Sequence, residues 1–245
     1  MAGARLYPNA LFIREPFKII EYQELMRLAD LRPDDEILDV GCGSGLQTIV
    51  MANRCRSALG IDVDRGSIAK ARETASFACR RRNVEFSEAS ACDVDFDRRF
   101  DKALSYCVLE HIPDWPGALR RVHRALRPGG RLIISVDSLS SLKDKAAVER
   151  HREHNHVQHY FTRAELAEAL ASAGFVAAEV RPLFTSELAE AMFADIIRSD
   201  GYRPLHDVIP YRWLRDYVRL RSRESEGVDP EAPSIFLVAR AMRPE

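Results

Sequence analysis

Short apolar segments alternate with longer amphipathic segments along most of the chain. The short segments are typical of buried strands, whereas the longer ones repeat their apolar residues at helical spacing. This alternation predicts a mostly parallel sheet with helices on both of its faces. The predicted strands cover residues 36–40, 57–62, 84–90, 100–106, 131–136, 176–184 and 234–242.

Helices are predicted between these strands, and two of them carry boundary signals. Thr162 and Glu165 have the spacing of a capping box, and Gly174 closes the same helix. A Pro-Gly-Gly run at 128–130 is predicted to end an earlier helix. The predicted helices cover residues 17–30, 45–54, 65–82, 114–130 and 162–175.

The domain organisation follows from length and from one interruption of the pattern. With 245 residues, of which 46% are hydrophobic, the chain is expected to form a single domain over 1–245. Residues 1–30 are expected to contain an N-terminal cap helix. Residues 185–233 break the alternation and are predicted to form a helical insertion before the last strand.

A glycine-rich turn follows the first predicted strand, in the sequence EILDVGCGSGLQ at 36–47. Gly41, Gly43 and Gly45 can adopt positive φ and let a ligand touch the backbone. Ligands of such sheets bind beyond the carboxyl ends of the strands, where this turn is placed. The turn therefore indicates nucleotide binding; the structural alternative is a tight connection between strand and helix.

Two acidic residues strengthen the binding interpretation. Asp62 ends the second predicted strand, where a carboxylate can accept hydrogen bonds from both hydroxyls of a ribose. Asp39 precedes the glycines, which are spaced D-x-G-x-G-x-G rather than G-x-G-x-x-G. An acid at that place disfavours a pyrophosphate and favours a ligand that carries an ammonium group.

Five segments, in order, resemble the motifs of the class I S-adenosylmethionine-dependent methyltransferases of small-molecule type. They are Ile37–Gly45, GIDVD at 60–64, NVEFSEASACDV at 83–94, FDKALSYCVLEHIPD at 100–114 and ALRPGGRLIISV at 125–136. A later segment at 156–175 is also similar. The resemblance implies a seven-stranded Rossmann-like, doubly wound sheet of order 3-2-1-4-5-7-6 with the last strand antiparallel.

The resemblance also implies a cofactor, S-adenosylmethionine, and its product S-adenosylhomocysteine. Gly41 and Gly43 would support the methionine part of the cofactor, Asp39 its ammonium and Asp62 its ribose. Ser90 stands where the family usually has an acid for the adenine amino group. The other residues that it implies for cofactor binding are Cys42, Gly45, Val63, Ala91, Tyr106 and Cys107.

The role of Tyr106 has two interpretations. The tyrosine could face the cofactor sulfonium through its ring or its oxygen. Alternatively, it packs beneath a helix, as buried tyrosines commonly do.

Candidates for the chemistry follow the fourth predicted strand and the later segment. An acceptor hydroxyl or ammonium must lose a proton, and Glu110, His111 and His159 are the candidate catalytic groups. The resemblance of the later segment implies that His159 and Tyr160 lie near the mouth of the substrate site. The resemblance gives some relatives a metal-binding acid where this chain has Cys107. No metal site is predicted there, nor at the histidines of 151–159, which lack a recognisable ligand spacing.

The predicted insertion has three interpretations. It could be a lid over the acceptor, with Phe193, Trp213 and Tyr217 as apolar walls. The arginine-rich stretch 203–223 could instead contact anionic lipid or an acidic substrate, although membrane contact is not favoured. The third interpretation is an ordinary helix pair with a solvated face.

Composition narrows the function classes. The formal net charge of −1 gives no field that would favour nucleic acid, and the five cysteines form no CxxC pair. A cytoplasmic enzyme is expected, either monomer or homodimer, that methylates an O or N atom of a small molecule, with carbon next. A non-catalytic cofactor-binding subunit or regulator is the first alternative. An NAD-linked oxidoreductase is the second.

Overall fold

The computed structural model describes residues 16–79, 82–199, 210–223 and 228–245, with side chains of the third range from Leu214 onward. Its strands form one sheet of order β3-β2-β1-β4-β5-β7-β6, in which β7 is antiparallel to both neighbours. The predicted strand order and the antiparallel last strand are therefore confirmed. The strands are β1 (Glu36–Val40), β2 (Ser57–Asp62), β3 (Val84–Glu88), β4 (Phe100–Tyr106), β5 (Leu126–Asp137), β6 (Val176–Leu183) and β7 (Phe236–Met242).

Helices cover both faces of this sheet, because neighbouring strand residues point to opposite sides. Ile37 belongs to one buried apolar cluster and Leu38 to the other. The helices are α1 (Pro16–Ala29), α2 (Leu46–Ala52), α3 (Arg65–Ala78), α4 (Trp115–Ala125), α5 (Lys145–Asn155), α6 (Arg163–Ser172), α7 (Glu187–Arg198) and α8 (Pro210–Arg223).

The predicted end of the fourth helix is wrong. We expected it to extend over 114–130, but α4 ends at Ala125 and β5 begins at Leu126, which pairs with Phe100 of β4. The guanidinium of Arg243 donates hydrogen bonds to the carbonyls of His123, Arg124 and Leu126. These bonds pair the carbonyl groups at the end of the helix with a residue from a distant part of the chain. The helix therefore ends before the Pro-Gly-Gly run.

Helix α5 is not among the helices predicted from the sequence. It begins after Asp144, whose carboxylate accepts a hydrogen bond from the Ala147 amide at 3.1 Å. Of its residues, Ala147 alone is fully buried, so the apolar spacing that would have indicated a helix is nearly absent. Two smaller differences concern α3, which ends at Ala78, and β3, which ends at Glu88.

The segment between β6 and β7 contains α7 and α8. Helix α7 buries Phe193 against the rings of Phe17 and Phe236, at centroid distances of 5.3 and 5.5 Å. Helix α8 lies against α1, where Arg221 pairs with Glu24 at 2.8 Å. In the part of the chain that the structure describes, no helix combines the length and apolar character needed to cross a bilayer.

Candidate functional site at the carboxyl ends of the strands

The glycine turn joins the carboxyl ends of β1 and β2. The backbone amides of Gly41 and Cys42 both donate to the carbonyl of Ile61, at 2.8 and 2.9 Å. All three glycines have positive φ, between 51° and 76°. The turn therefore has the backbone conformation that its glycines predicted.

The three glycines are required for two different reasons. A Cβ atom on Gly41 would lie 2.3 Å from a methyl group of Val108, and one on Gly45 would lie 2.6 Å from the Phe86 ring. A Cβ atom on Gly43 would meet nothing within 4 Å. Gly41 and Gly45 thus allow close internal packing, whereas Gly43 leaves open space for a ligand.

Asp62 lies beside this open space. Its carboxylate accepts hydrogen bonds from the amides of Gly43 and Asp64, at 2.8 and 2.9 Å. A carboxylate offers about four acceptor positions, so capacity remains for hydroxyl donors. The neighbouring Val63 side chain is 69% exposed and forms an apolar surface next to the carboxylate.

Asp39 and Cys42 lie beneath the turn. The Asp39 carboxylate accepts a hydrogen bond from the Thr48 hydroxyl at 2.5 Å, and burial raises the pKa of Asp39 to about 6. The Cys42 side chain is buried in the apolar core, and burial raises its pKa. Asp39 is thus positioned to bear a charge at neutral pH, while Cys42 serves packing.

Ser90 and Ala91 follow β3 at the same edge of the sheet. The Ser90 hydroxyl accepts a hydrogen bond from the amide of Cys92 at 3.1 Å, and Ala91 is buried in the apolar core. Ser90 therefore shapes the turn after β3. Its hydroxyl keeps a proton and a second lone pair with which it could bind a ligand.

A cluster of acidic groups lies after β4 and β5; we call Glu21, Cys107, Glu110 and Asp137 the carboxylate–thiol cluster. The Cys107 sulfur and one carboxylate oxygen each of Glu110 and Asp137 lie within 4.8 Å of one another. The Cys107 thiol donates to a Glu21 carboxylate oxygen at 2.8 Å. The three carboxylic acids are almost completely buried, so the cluster gathers ionisable groups out of water.

Lys18 of α1 provides the cation next to this cluster. Its ammonium lies 3.0 Å from a Glu21 oxygen and 3.0 Å from the Cys107 sulfur. The Tyr106 hydroxyl donates to the Lys18 carbonyl at 2.6 Å, which fixes α1 to the end of β4. Tyr106 thus packs beneath α1, as the second interpretation of this residue expected.

Burial and like charges change the acidity of the cluster. Burial and the Asp137 charge raise the pKa of Glu110 well above its usual range, and burial raises the pKa of Asp137. One Glu110 oxygen accepts from the Asp137 amide at 3.2 Å, and the other is buried without a hydrogen-bond partner. The cluster therefore has unused capacity for a hydrogen-bond donor or a cation.

His151 and Tyr160 extend the cluster towards α5. The imidazole of His151 lies 3.8 Å from an Asp137 oxygen and 3.0 Å from the Tyr160 hydroxyl. Burial, followed by the charge of Lys18, lowers the pKa of His151 to about 4. The imidazole is consequently neutral at pH 7.

His159 lies away from this cluster, and its predicted place near the substrate stays a prediction. Its ring lies 4.6 Å from the Phe161 ring and 5.8 Å from the Trp115 ring, on the other side of the segment from Tyr160. Neighbours in an extended segment point to opposite sides, so Tyr160 and His159 cannot both face Asp137. His111 is an exposed residue at the end of the short 3₁₀ turn Leu109–His111.

Comparison with known proteins agrees with this geometry. A family model described as "Methyltransferase domain" matches residues 14–180. The chain belongs to this methyltransferase family.

Relatives of the methyltransferase domain include the O-methyltransferase resE of Aspergillus sclerotiorum, 34% identical over 57% of this chain and 54% of that protein. Another is an uncharacterized 37.1 kDa protein of a Streptomyces fradiae transposon, 30% identical over 76% of this chain and 58% of that protein. The chain thus spans somewhat more than half the length of these curated relatives.

A solved structure shows the same fold. Phosphoethanolamine N-methyltransferase 2 of Haemonchus contortus, in complex with S-adenosyl-L-methionine, has a TM-score of 0.67 and 18% identity over 93% of this chain and 53% of that chain.

Several residues in and around the carboxylate–thiol cluster were not predicted from the sequence. Lys18, Glu21 and His151 lie on helices that carry no motif, and Asp137 is the last residue of a strand predicted to end one position earlier. The only available signal was topological, since Asp137 ends the strand next to β4.

The predicted apolar walls have other roles in the methyltransferase domain. Phe193 is buried in the aromatic core, and Tyr217 donates a hydrogen bond to Gln23 of α1 at 3.1 Å. The Trp213 side chain lies outside the described residues. The lid interpretation therefore remains a prediction that rests on the position of the segment.

Proposed function

We propose that the chain transfers a methyl group from S-adenosylmethionine to an O or N nucleophile of a small molecule, carbon being the less favoured acceptor atom. The observation that carries this proposal is the open space over Gly43, directly beside the Asp62 carboxylate. Membership of the methyltransferase family supports it. Five free cysteines support a cytoplasmic location.

The residues around the turn fit such a cofactor. Gly43 gives backbone access, Asp62 offers acceptor positions for ribose hydroxyls, and the exposed Val63 offers a flat apolar contact for adenine. Asp39 supplies negative charge beneath the turn for an ammonium group. When bound, the cofactor supplies a methyl group already activated by its sulfonium.

The chain's own contribution is alignment and removal of a proton. Alignment of the acceptor can account for much of the rate of an in-line displacement. We assign the role of proton acceptor to Asp137, because its carboxylate lies at the carboxyl end of β5 beside Cys107 and Glu110, and burial raises its pKa. His151 and Tyr160 would position its carboxylate, and Glu110 and His111 would flank the acceptor. Asp137 thus takes the place of His159 as the proposed proton acceptor.

The names of similar proteins leave the acceptor atom open. The resE protein is named an O-methyltransferase, whereas the structural neighbour from Haemonchus contortus is named for N-methylation of phosphoethanolamine. We therefore propose a small-molecule acceptor and keep both atoms.

Titration calorimetry tests the proposed cofactor. S-adenosylhomocysteine should bind to the wild-type protein, and NADH should not. Binding of NADH in place of S-adenosylhomocysteine would overturn the proposal. Binding of S-adenosylhomocysteine together with an inability to methylate any member of a broad amine and phenol panel would instead favour a non-catalytic subunit.

A further inference from the structure

The Lys18 ammonium shows what kind of group the carboxylate–thiol cluster accepts. It contacts Glu21 and Cys107 and lies 4.4 Å from the centre of the Phe236 ring and 5.1 Å from that of Tyr106. Aromatic faces and carboxylates together are a typical surrounding for an organic ammonium. The site is therefore complementary to such a group.

The hydrogen-bond acceptors of the cluster outnumber the donors of this ammonium. Glu21, Glu110 and Asp137 are buried together, and one Glu110 oxygen has no partner. His151 does not balance them, since burial lowers its pKa to about 4, and His111 is exposed. A buried carboxyl oxygen without a partner is costly, so a donor that reached it would be bound favourably.

A metal ion fits the same place less well. Burial raises the pKa of Cys107 well above its usual range, so its sulfur carries a proton at neutral pH, whereas metals bind thiolates. The Lys18 ammonium also lies against that sulfur. The donor set thus favours an ammonium over a divalent cation.

The cluster lies next to the proposed cofactor turn. Val108, the residue after Cys107, packs on Gly41, so a group bound at Cys107 and Glu110 is close to the cofactor edge of the sheet. The side chain of Lys18 is 21% exposed, while Glu21 behind it is fully buried. Movement of this side chain would open the cluster from the solvent side.

We propose that the acceptor carries an amine, which binds as its ammonium form between Glu21, Glu110 and Asp137 in the position that Lys18 occupies. The proposal rests on the proposed methyl transfer and adds the substrate class to it. Selection depends on the charge of this group, so neutral and anionic isosteres of the acceptor are excluded.

Chemical rescue tests this inference with n-propylammonium chloride as the probe. Lys18→Ala should bind it at least about tenfold more tightly than the wild-type protein, because Lys18 reduces the fraction of open sites. 1-Propanol and sodium propionate, at equal ionic strength, should not bind. Lys143→Ala removes an exposed lysine that pairs with Glu190, and this control should behave like the wild type.

A second substitution locates the probe. Glu110→Gln in the Lys18→Ala background keeps an oxygen that accepts from the Asp137 amide and replaces the unpartnered oxygen by an amide nitrogen. This nitrogen cannot accept a hydrogen bond from the probe, so the gain in affinity should disappear. Equal binding of propylammonium and 1-propanol, or stabilisation of Lys18→Ala by Mg²⁺ alone, would overturn the inference. If Lys18→Ala does not fold, the wild type decides: propylammonium must raise its Tm more than 1-propanol does.

Calorimetry with S-adenosylhomocysteine separates the two proposals. If this compound binds but propylammonium does not, the substrate class is wrong and the proposed methyl transfer stands. If it fails to bind to the wild type while propylammonium binds to Lys18→Ala, the cofactor assignment is wrong.

Discussion

Gly43 differs from Gly41 and Gly45 because no other described residue occupies the space that a side chain would enter. Gly43→Val should abolish S-adenosylhomocysteine binding, since the new side chain would enter the open space. Positive φ should cost about 1–2 kcal/mol of stability, and the fold should persist. Calorimetry and thermal unfolding measure both effects. Gly66→Ala, whose Cβ would be 3.5 Å from its nearest neighbour, is the control and should bind normally.

Asp62 and Asp64 form a second matched pair. Asp62→Ala should weaken S-adenosylhomocysteine, since each lost hydrogen bond to the carboxylate is worth about 1.5–3 kcal/mol. Asp64→Ala should leave the affinity unchanged, because its carboxylate caps α3 through the Ser67 amide. Equal losses in the two variants would show that the effect comes from the turn and not from the ligand.

At this scale, sequence reasoning placed residues correctly where their position is set locally. Asp39, the glycines and Asp62 occur at fixed places relative to predicted strand ends, and the structure brings them to the same edge of the sheet. Their roles stay predictions. Lys18 and Cys107 are 89 positions apart, and no local pattern records their contact. The same limit explains His159, since the direction of a side chain in an irregular segment depends on tertiary packing.

Among the elements, α1 connects the carboxylate–thiol cluster to the apolar core. Phe17 is 1% exposed and lies 4.6 Å from the Phe184 ring. Phe17→Ala should lower the free energy of unfolding by about 3–5 kcal/mol, as is typical of buried aromatic residues. Urea unfolding measures this loss. Phe77→Ala removes a ring that is 75% exposed and should change stability by less than about 0.5 kcal/mol.

Element boundaries were predicted best where the signal lies within the element. The capping box of α6 is present, with Thr162 and Glu165 bonded in both directions. The end of α4 depends on Arg243, which is too distant for any window of sequence to reveal. Helix α5 has too few buried apolar residues for a helical repeat to be recognised in its sequence.

At the scale of the whole molecule, the free energy of unfolding at acidic pH should depend on the burial of His151. Its pKa is about 4 in the folded state and about 6.5 when unfolded. The unfolded chain therefore binds more protons between these values, and this residue makes stability fall as the pH drops from 6.5 to 4. His151→Gln should remove about 2–3 kcal/mol of that dependence.

Unfolding at several pH values between 4 and 7 measures the difference between wild type and variant. His154→Gln changes an exposed histidine of the same helix. Its charge comes after burial, Lys18 and His111 among the causes that lower the pKa of His151, so the dependence should change much less. A difference between wild type and His151→Gln that stays constant with pH would show that His151 is not titrating in this range.

The position of β7 has a consequence for synthesis of the chain. Strand β6 is joined to the rest of the sheet through β7, which lies between β5 and β6. Residues 236–242 are therefore the last strand of this sheet to be synthesised and also the one that closes it. Until they emerge from the ribosome, β5 and β6 each lack this partner, so the nascent sheet stays open to chaperones and to aggregation until its final strand is made.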